Sequence, residues 1–231
     1  MTGALVRRTA TGCVLLAAVL TALVVARWPP LVAFDARVAR SLHAYALAHP
    51  APTRLLRVLS DWPWDPWTMR ASAVLACLWL WRRGERALAR RFGAAVLAAA
   101  VVSQGLKAAV GRERPVWPDP VDSAHFAAYP SGHALTATVV CGLLLWLFPR
   151  SRRARTAALV CVLVCVLGVG FSRLYLGVHW ASDVVGGWLL GAALAAVAIG
   201  GAGAPRSGEI RTGTAGGGRS PASPTTSRPA R

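Results

Sequence analysis

The stretch 171–183, F-S-R-L-Y-L-G-V-H-W-A-S-D, separates two apolar runs at 157–171 and 184–203, yet it carries Ser172, Arg173, His179 and Asp183. Charged and polar side chains at the mouth of a hydrophobic segment cost solvation energy unless they have a partner or a function. His179 and Asp183 stand four apart. If the following run begins here as a helix, they share one face, and a carboxylate at that spacing can hold an imidazole in one tautomer. The stretch therefore marks both a break between two membrane-length helices and a candidate nucleophile, His179.

Working outward, the chain has 231 residues, 55% hydrophobic and 15% charged, with positive mean hydropathy. That is too apolar for an ordinary soluble domain. The apolar runs place six membrane spans at about 10–27, 67–81, 92–110, 134–148, 157–171 and 184–203. The expected fold is all-α, a six-transmembrane-helix bundle. An interfacial helix is expected after the first span, where 34–47 has apolar residues at helical spacing within a proline-broken segment. Trp62, Trp64 and Trp67, interleaved with Pro63 and Pro66, fit an aromatic belt. The short second span needs a snorkelling Arg70 to cross. The basic start and the apolar run after it fit a first helix or a signal peptide; the membrane character of the rest of the chain favours the helix. Residues 1–204 form the expected membrane domain. The Gly/Ser/Pro/Arg tail at 205–231 has nothing to bury and is expected to be disordered.

The net charge of +17 raises nucleic acid as a partner. The arginines, however, sit in short breaks between apolar runs and in the tail, the pattern of a membrane protein rather than of a nucleic-acid face. Basic breaks at 82–91 and 150–155 put those loops, with the N-terminus and the tail, on the cytoplasmic side by the positive-inside rule. Loops 112–133 and 172–183 then open together on the opposite, extracytoplasmic face of the cell membrane. The five cysteines all lie in apolar runs without His or Cys partners at metal-binding spacing, and read as small buried hydrophobes.

Two further clusters join the first. K-A-A-V-G-R-E-R-P places Lys107, the only lysine among 26 basic residues, near the end of the third span, with Gly111 as a helix stop and Arg114-Pro115 beyond it. P-S-G-H, 130–133, opens the fourth span. Ser131 is a natural N-cap there, Gly132 permits close backbone approach, and the helix N-terminus can hold an anion such as phosphate. Singly, each is an ordinary interface lysine, a capping motif or a helix-terminal carboxylate. Together they set two histidines, an aspartate, three cations and an anion site on one face.

In this order K-x6-R-P, P-S-G-H and S-R-x5-H-x3-D resemble the three motifs of the type 2 phosphatidic acid phosphatase superfamily, a family similar in turn to vanadium haloperoxidases. About eleven matched positions make the likeness specific. It implies that His179 attacks phosphorus to form a phosphohistidine, that Asp183 orients it, and that His133 protonates the leaving oxygen. It implies that Lys107, Arg114, Arg173, Ser131 and Gly132 hold the phosphate oxygens. Of the nearby acids Glu113, Asp119, Asp122 and Asp183, only Asp183 matches a motif position. No metal site and no cofactor is expected, and three side-chain cations can do the work of Mg²⁺.

The reading is then a membrane phosphatase for a lipid phosphate or diphosphate, with polyprenyl diphosphate, phosphatidic acid and phosphatidylglycerol phosphate all open. Its partners are that lipid and the bilayer, with no nucleic acid and with the oligomeric state open. A vanadate-dependent haloperoxidase-like enzyme and a non-catalytic lipid-phosphate-binding protein are the alternatives. Arg112 and Glu113, inside the variable gap of the first motif, either tune the site or pair with each other. His125 is expected at the surface.

Overall fold

The computed structural model describes residues 3–147 and 151–200. Among them the regular elements are all helical: α1 (Gly3–Val25), α2 (Pro29–Ala48), α3 (Pro50–Asp61), α4 (Pro66–Arg82), α5 (Arg86–Val110), α6 (Gly132–Leu147), α7 (Arg152–Tyr175) and α8 (Ala181–Gly200). The tail 205–231 and the last residues of the fourth and sixth expected spans lie outside the described residues. Each expected span falls on a helix. By length and composition α1, α5, α7 and α8 can cross a membrane, whereas α6 is a shorter apolar helix and α4 has 17 residues.

Local chemistry sets the boundaries. Proline opens α2, α3 and α4, where its missing N–H costs nothing. Asp65 caps α4 by accepting from the amides of Trp67 at 2.6 Å and Thr68 at 3.3 Å. Gly111 ends α5 in the left-handed conformation, φ 58°, as its position predicts. The basic breaks are shorter than expected. Helix α5 begins at Arg86 and α7 at Arg152, because arginine is a good helix former whose long side chain reaches water from within a helix. At its other end α7 runs on to Tyr175, so Ser172 and Arg173 are helical rather than part of a loop.

The segment in which one helix was expected at the interface holds two helices. Helix α2 covers 34–47, and α3 follows after His49. Both turn a polar-containing face inward, with Asp35 and His43 buried on α2 and Thr53 and Ser60 buried on α3. They pack on one another and on α7, and α2 reaches α8 as well.

Helices α6 and α8 form the centre, with α1 lying along α8 and α4 and α5 against α6. Two glycines allow the central contact. A Cβ on Gly187 would come within 2.7 Å of the Ser131 carbonyl oxygen, and one on Gly191 within 2.8 Å of that of Leu135. The core of Leu80, Phe92, Leu135, Val139, Val140 and Val169 lies between α4, α5, α6 and α7. Leu15, Leu16, Leu97, Val101, Val160 and Val164 remain exposed on the outer faces, as expected where lipid rather than water is the solvent.

Candidate active site

The three motifs converge at one end of the bundle, around the mouths of α5, α6 and α8. In the first motif, Lys107 lies in the last turn of α5 and donates to the Ala127 carbonyl across the 111–131 loop. Arg114, in that loop, donates to the carbonyls of Val178 at 2.5 Å, Phe126 at 2.9 Å and His125 at 3.1 Å. Burial and the nearby Arg173 charge bring its guanidinium down to about 10. Loops 112–133 and 172–183 therefore meet, as inferred from the span count.

In the second motif, Ser131 precedes the first residue of α6, its hydroxyl accepting from the Ala134 amide at 3.5 Å. Its own amide donates to the Asp183 carbonyl at 2.9 Å, tying the start of α6 to that of α8. Gly132 opens α6, where a Cβ would stand 3.4 Å from the Ser103 hydroxyl. His133 is the next residue, near enough to Arg173, His179, Arg114 and Lys107 to feel their charges.

The third motif departs from the expected geometry in one respect. Helix α8 begins at Ala181, so His179 precedes it and does not share a helical face with Asp183. The contact is made across the helix N-terminus instead. Asp183 Oδ2 accepts from the Trp180 amide at 2.9 Å, closing the first turn, and lies 3.3 Å from His179 Nδ1. On the ring's other side, Arg114 Nη1 lies 3.2 Å from Nε2. A guanidinium only donates, so Nε2 is the acceptor and Nδ1 carries the proton toward Asp183. Burial, with the charges of Arg114, Arg173 and Lys107, holds the imidazole well below its ordinary value. His179 is thus neutral, with its free electron pair on Nε2.

Arg173 Nη1 donates to the Ser60 hydroxyl of α3 at 2.7 Å and lies 3.6 Å from Asp122. Its Nε is buried without a partner, a donor available to an anion. The 111–131 loop is held over the site by Trp117, whose indole stacks on His43 at 4.0 Å and donates to the Gly177 carbonyl at 2.8 Å. Tyr129, fully buried, shares a 2.7 Å hydrogen bond with Thr21 of α1.

Arg112 does not pair with Glu113. Its guanidinium bridges Asp183 at 2.6 Å and Asp35 of α2 at 2.7 Å, while the Glu113 carbonyl accepts from the Trp180 indole at 2.9 Å. His125 is exposed, as expected. Asp35, Ser60 and Trp117 lie outside the three motifs. The single carboxylate of α2 is a usable signal for Asp35; Ser60 and Trp117 carry none. Among the described residues there is no group of three or more His, Cys, Asp or Glu placed to hold a metal ion. Beside Arg112 a cavity of about 460 Å³ opens between α1, α2 and α5, walled by Val24, Val32, Ala109 and Trp180.

The chain is similar in sequence and fold to several known proteins. The chain is 35% identical over 128 residues to a decaprenylphosphoryl-5-phosphoribose phosphatase of Mycobacterium tuberculosis, covering 54% of this chain and 66% of that one. It is 32% identical over 96 residues to phosphatidylglycerophosphatase B of Bacillus subtilis, covering 39% and 46%. With an undecaprenyl-diphosphatase of Sulfolobus acidocaldarius it shares 40% over 74 residues, covering 32% and 31%. The matched part thus spans less than half the length of these last two relatives. A crystal structure described as the first transmembrane PAP2 type phosphatidylglycerolphosphate phosphatase, from Bacillus subtilis, superposes with a TM-score of 0.74 over 83% of this chain and 94% of that one, at 19% identity, and so shares the fold. The PAP2 superfamily model matches residues 88–203, which hold all three motifs, and the chain belongs to that superfamily.

Proposed function

We propose that this protein is a membrane-embedded phosphatase that hydrolyses a lipid phosphate or diphosphate at an extracytoplasmic site, through a phosphohistidine and without a metal ion. The observation that carries the proposal is the state of His179: neutral, its tautomer set by Asp183, its Nε2 facing the Arg114 guanidinium. A phosphate drawn in by Arg114, Arg173 and Lys107 takes over those cations and presents phosphorus to Nε2. Burial and the surrounding cations hold His133 below its ordinary value until the phosphate anion offsets them; it then takes up a proton. The Nε2–P bond forms as the P–O bond to the lipid breaks, and the protonated His133 gives the leaving oxygen its proton. Asp183 stabilises the charge that develops on the ring. Water then attacks phosphorus, surrendering a proton to His133, and inorganic phosphate leaves as His179 is freed.

Lys107, Arg114 and Arg173, with the Ser131 hydroxyl and the Gly132 amide, stabilise the equatorial oxygens in place of Mg²⁺. In this reading α4 and α6 complete a six-span bundle within 1–204, and α2 and α3 lie at the interface that the substrate crosses. The cavity, walled by Val24, Val32 and Ala109 and also by Arg27, Arg112 and Glu113, offers a lipid chain an apolar wall beside charged groups for its head. The named relatives act on prenyl-linked and glycerol-linked phosphates, so both classes belong in the assay. Phosphate release from a polyprenyl diphosphate, phosphatidic acid and phosphatidylglycerol phosphate is measured in detergent with EDTA. Turnover of at least one by wild type, lost in His179→Ala, is the expected result. Equal failure of both proteins on all three overturns the proposal.

A further inference from the structure

Asp35 belongs to α2, far outside the matched family region 88–203, yet it is 1% exposed. Its Oδ1 accepts from the Ser182 amide at 2.9 Å, and its Oδ2 from the Ser182 hydroxyl at 2.5 Å and Arg112 at 2.7 Å. Arg112 in turn donates to the Ser182 hydroxyl and to Asp183 Oδ1, both at 2.6 Å. That leaves Asp183 Oδ2 for the Trp180 amide and the His179 ring. A buried ion-pair chain of this kind requires nearly every donor and acceptor to be met, and here they are met.

The charges explain why a second carboxylate is present. Arg112 clamps the rotamer of Asp183, but a guanidinium against a single carboxylate in a low-dielectric site would cancel the negative charge His179 needs. With Asp35 on the far side, two carboxylates share one guanidinium, and one net negative charge still faces the imidazole. The other charged or titratable groups acting on His179 are Arg114, Arg173 and Lys107, all cationic, together with His133. Among the described residues, Asp183 is the carboxylate that contacts the His179 ring.

We infer that Asp35 is a positioning residue for the reaction, holding Arg112 so that Asp183 is fixed in place without being neutralised. This rests on the phosphohistidine reading above. It makes α2 part of the catalytic apparatus.

The test uses the full chain in detergent, with phosphatidylglycerol phosphate as substrate, and variants Asp35→Asn, Asp35→Glu and Asp35→Asn/Arg112→Gln. Asp35→Asn is expected to lower kcat roughly 10- to 100-fold, by analogy with the outer partners of metal-ligating side chains, with KM changed by less than about twofold. The acidic limb of its kcat/KM profile moves to lower pH, because the imidazole has lost its net negative neighbour. Asp35→Glu keeps the limb in place. The double variant, which removes one charge of each sign, brings the limb back toward wild type, whereas a purely structural role makes it worse than Asp35→Asn alone.

A wild-type profile for Asp35→Asn overturns the inference. So does a loss of activity with an unmoved limb in all variants. If Asp35→Asn does not fold, as judged by melting and size exclusion, the charge-balanced double variant and Asp35→Glu decide. If wild type hydrolyses no lipid, the phosphatase reading fails separately. Orthovanadate binding then gives the same comparison, since it needs a free Nε2 but no turnover; wild type that binds no vanadate overturns both.

Discussion

Arg114 Nη1 stands 3.2 Å from Nε2 of His179, so the proposed nucleophilic nitrogen is covered by a cation that must turn to phosphate before attack. The same side chain ties the two active-site loops through the carbonyls of Val178, Phe126 and His125. Arg114→Lys keeps a charge but loses the planar fork. Its expected cost is on the order of 10²–10³ in kcat, checked by steady-state turnover with phosphohistidine trapped in parallel.

The low affinity of the His179 ring for a proton has a consequence for stability. A histidine in the unfolded chain takes up a proton near pH 6.5, roughly, whereas the folded ring resists it to lower pH. The unfolded state then binds more protons, so stability falls as pH drops below that value and is fully present above it. His43, also lowered by burial with Asp119 opposing, contributes in the same direction. Melting temperature in detergent is expected to fall between about pH 6.5 and pH 5, and His179→Gln to flatten part of that slope. A slope unchanged in the variant contradicts the assignment.

Gly187 permits the close approach of α8 to the turn that opens α6. An added methyl would stand 2.7 Å from the Ser131 carbonyl and 3.0 Å from the Ala134 methyl. Gly187→Ala is expected to cost about 1–3 kcal/mol by overpacking and to displace the Ser131–His133 turn. Reduced thermal stability together with reduced kcat, measured on the same preparation, is the expected pair of results.

Trp117 and Gly177 form a clasp. Gly177 has φ +70°, and a Cβ there would lie 2.7 Å from the Trp117 indole nitrogen. Trp117→Ala and Gly177→Ala should each free the 111–131 loop, raising KM and exposing the loop to limited proteolysis. The double variant should do little more than either single one, because both break the same contact. Additive effects on KM would show that the two residues act separately.

Asp122 lies 3.6 Å from Arg173, where a phosphate oxygen would compete with it. Asp122→Asn removes that competitor. Inorganic phosphate is then expected to inhibit at lower concentration, read as a fall in Ki by product inhibition.

The sequence by itself determined the helical membrane class, the helix stop at Gly111, the cap at Ser131, and the family to which 107–183 belongs. These properties are local: hydrophobic run length, capping chemistry and motif spacing act between residues a few positions apart. The expectation that loops 112–133 and 172–183 meet also came from the order of apolar runs, and Arg114 joins them at the Val178 carbonyl. The sequence did not give the ends of α5 and α7, whose helices run past the expected spans, because arginine is equally at home in a loop and in a helical turn that reaches water.

Only the tertiary structure decided that His179 meets Asp183 across the start of α8 rather than along a helix face. Only it paired Arg112 with Asp35 and Asp183 instead of with adjacent Glu113, and Arg173 with Ser60. The physical reason is one of distance along the chain. Asp35 and Ser182 are 147 positions apart, and Ser60 and Arg173 are 113 apart. A contact of that separation leaves no trace in either local segment. The one carboxylate of α2 needs a neutralising partner, but packing decides which.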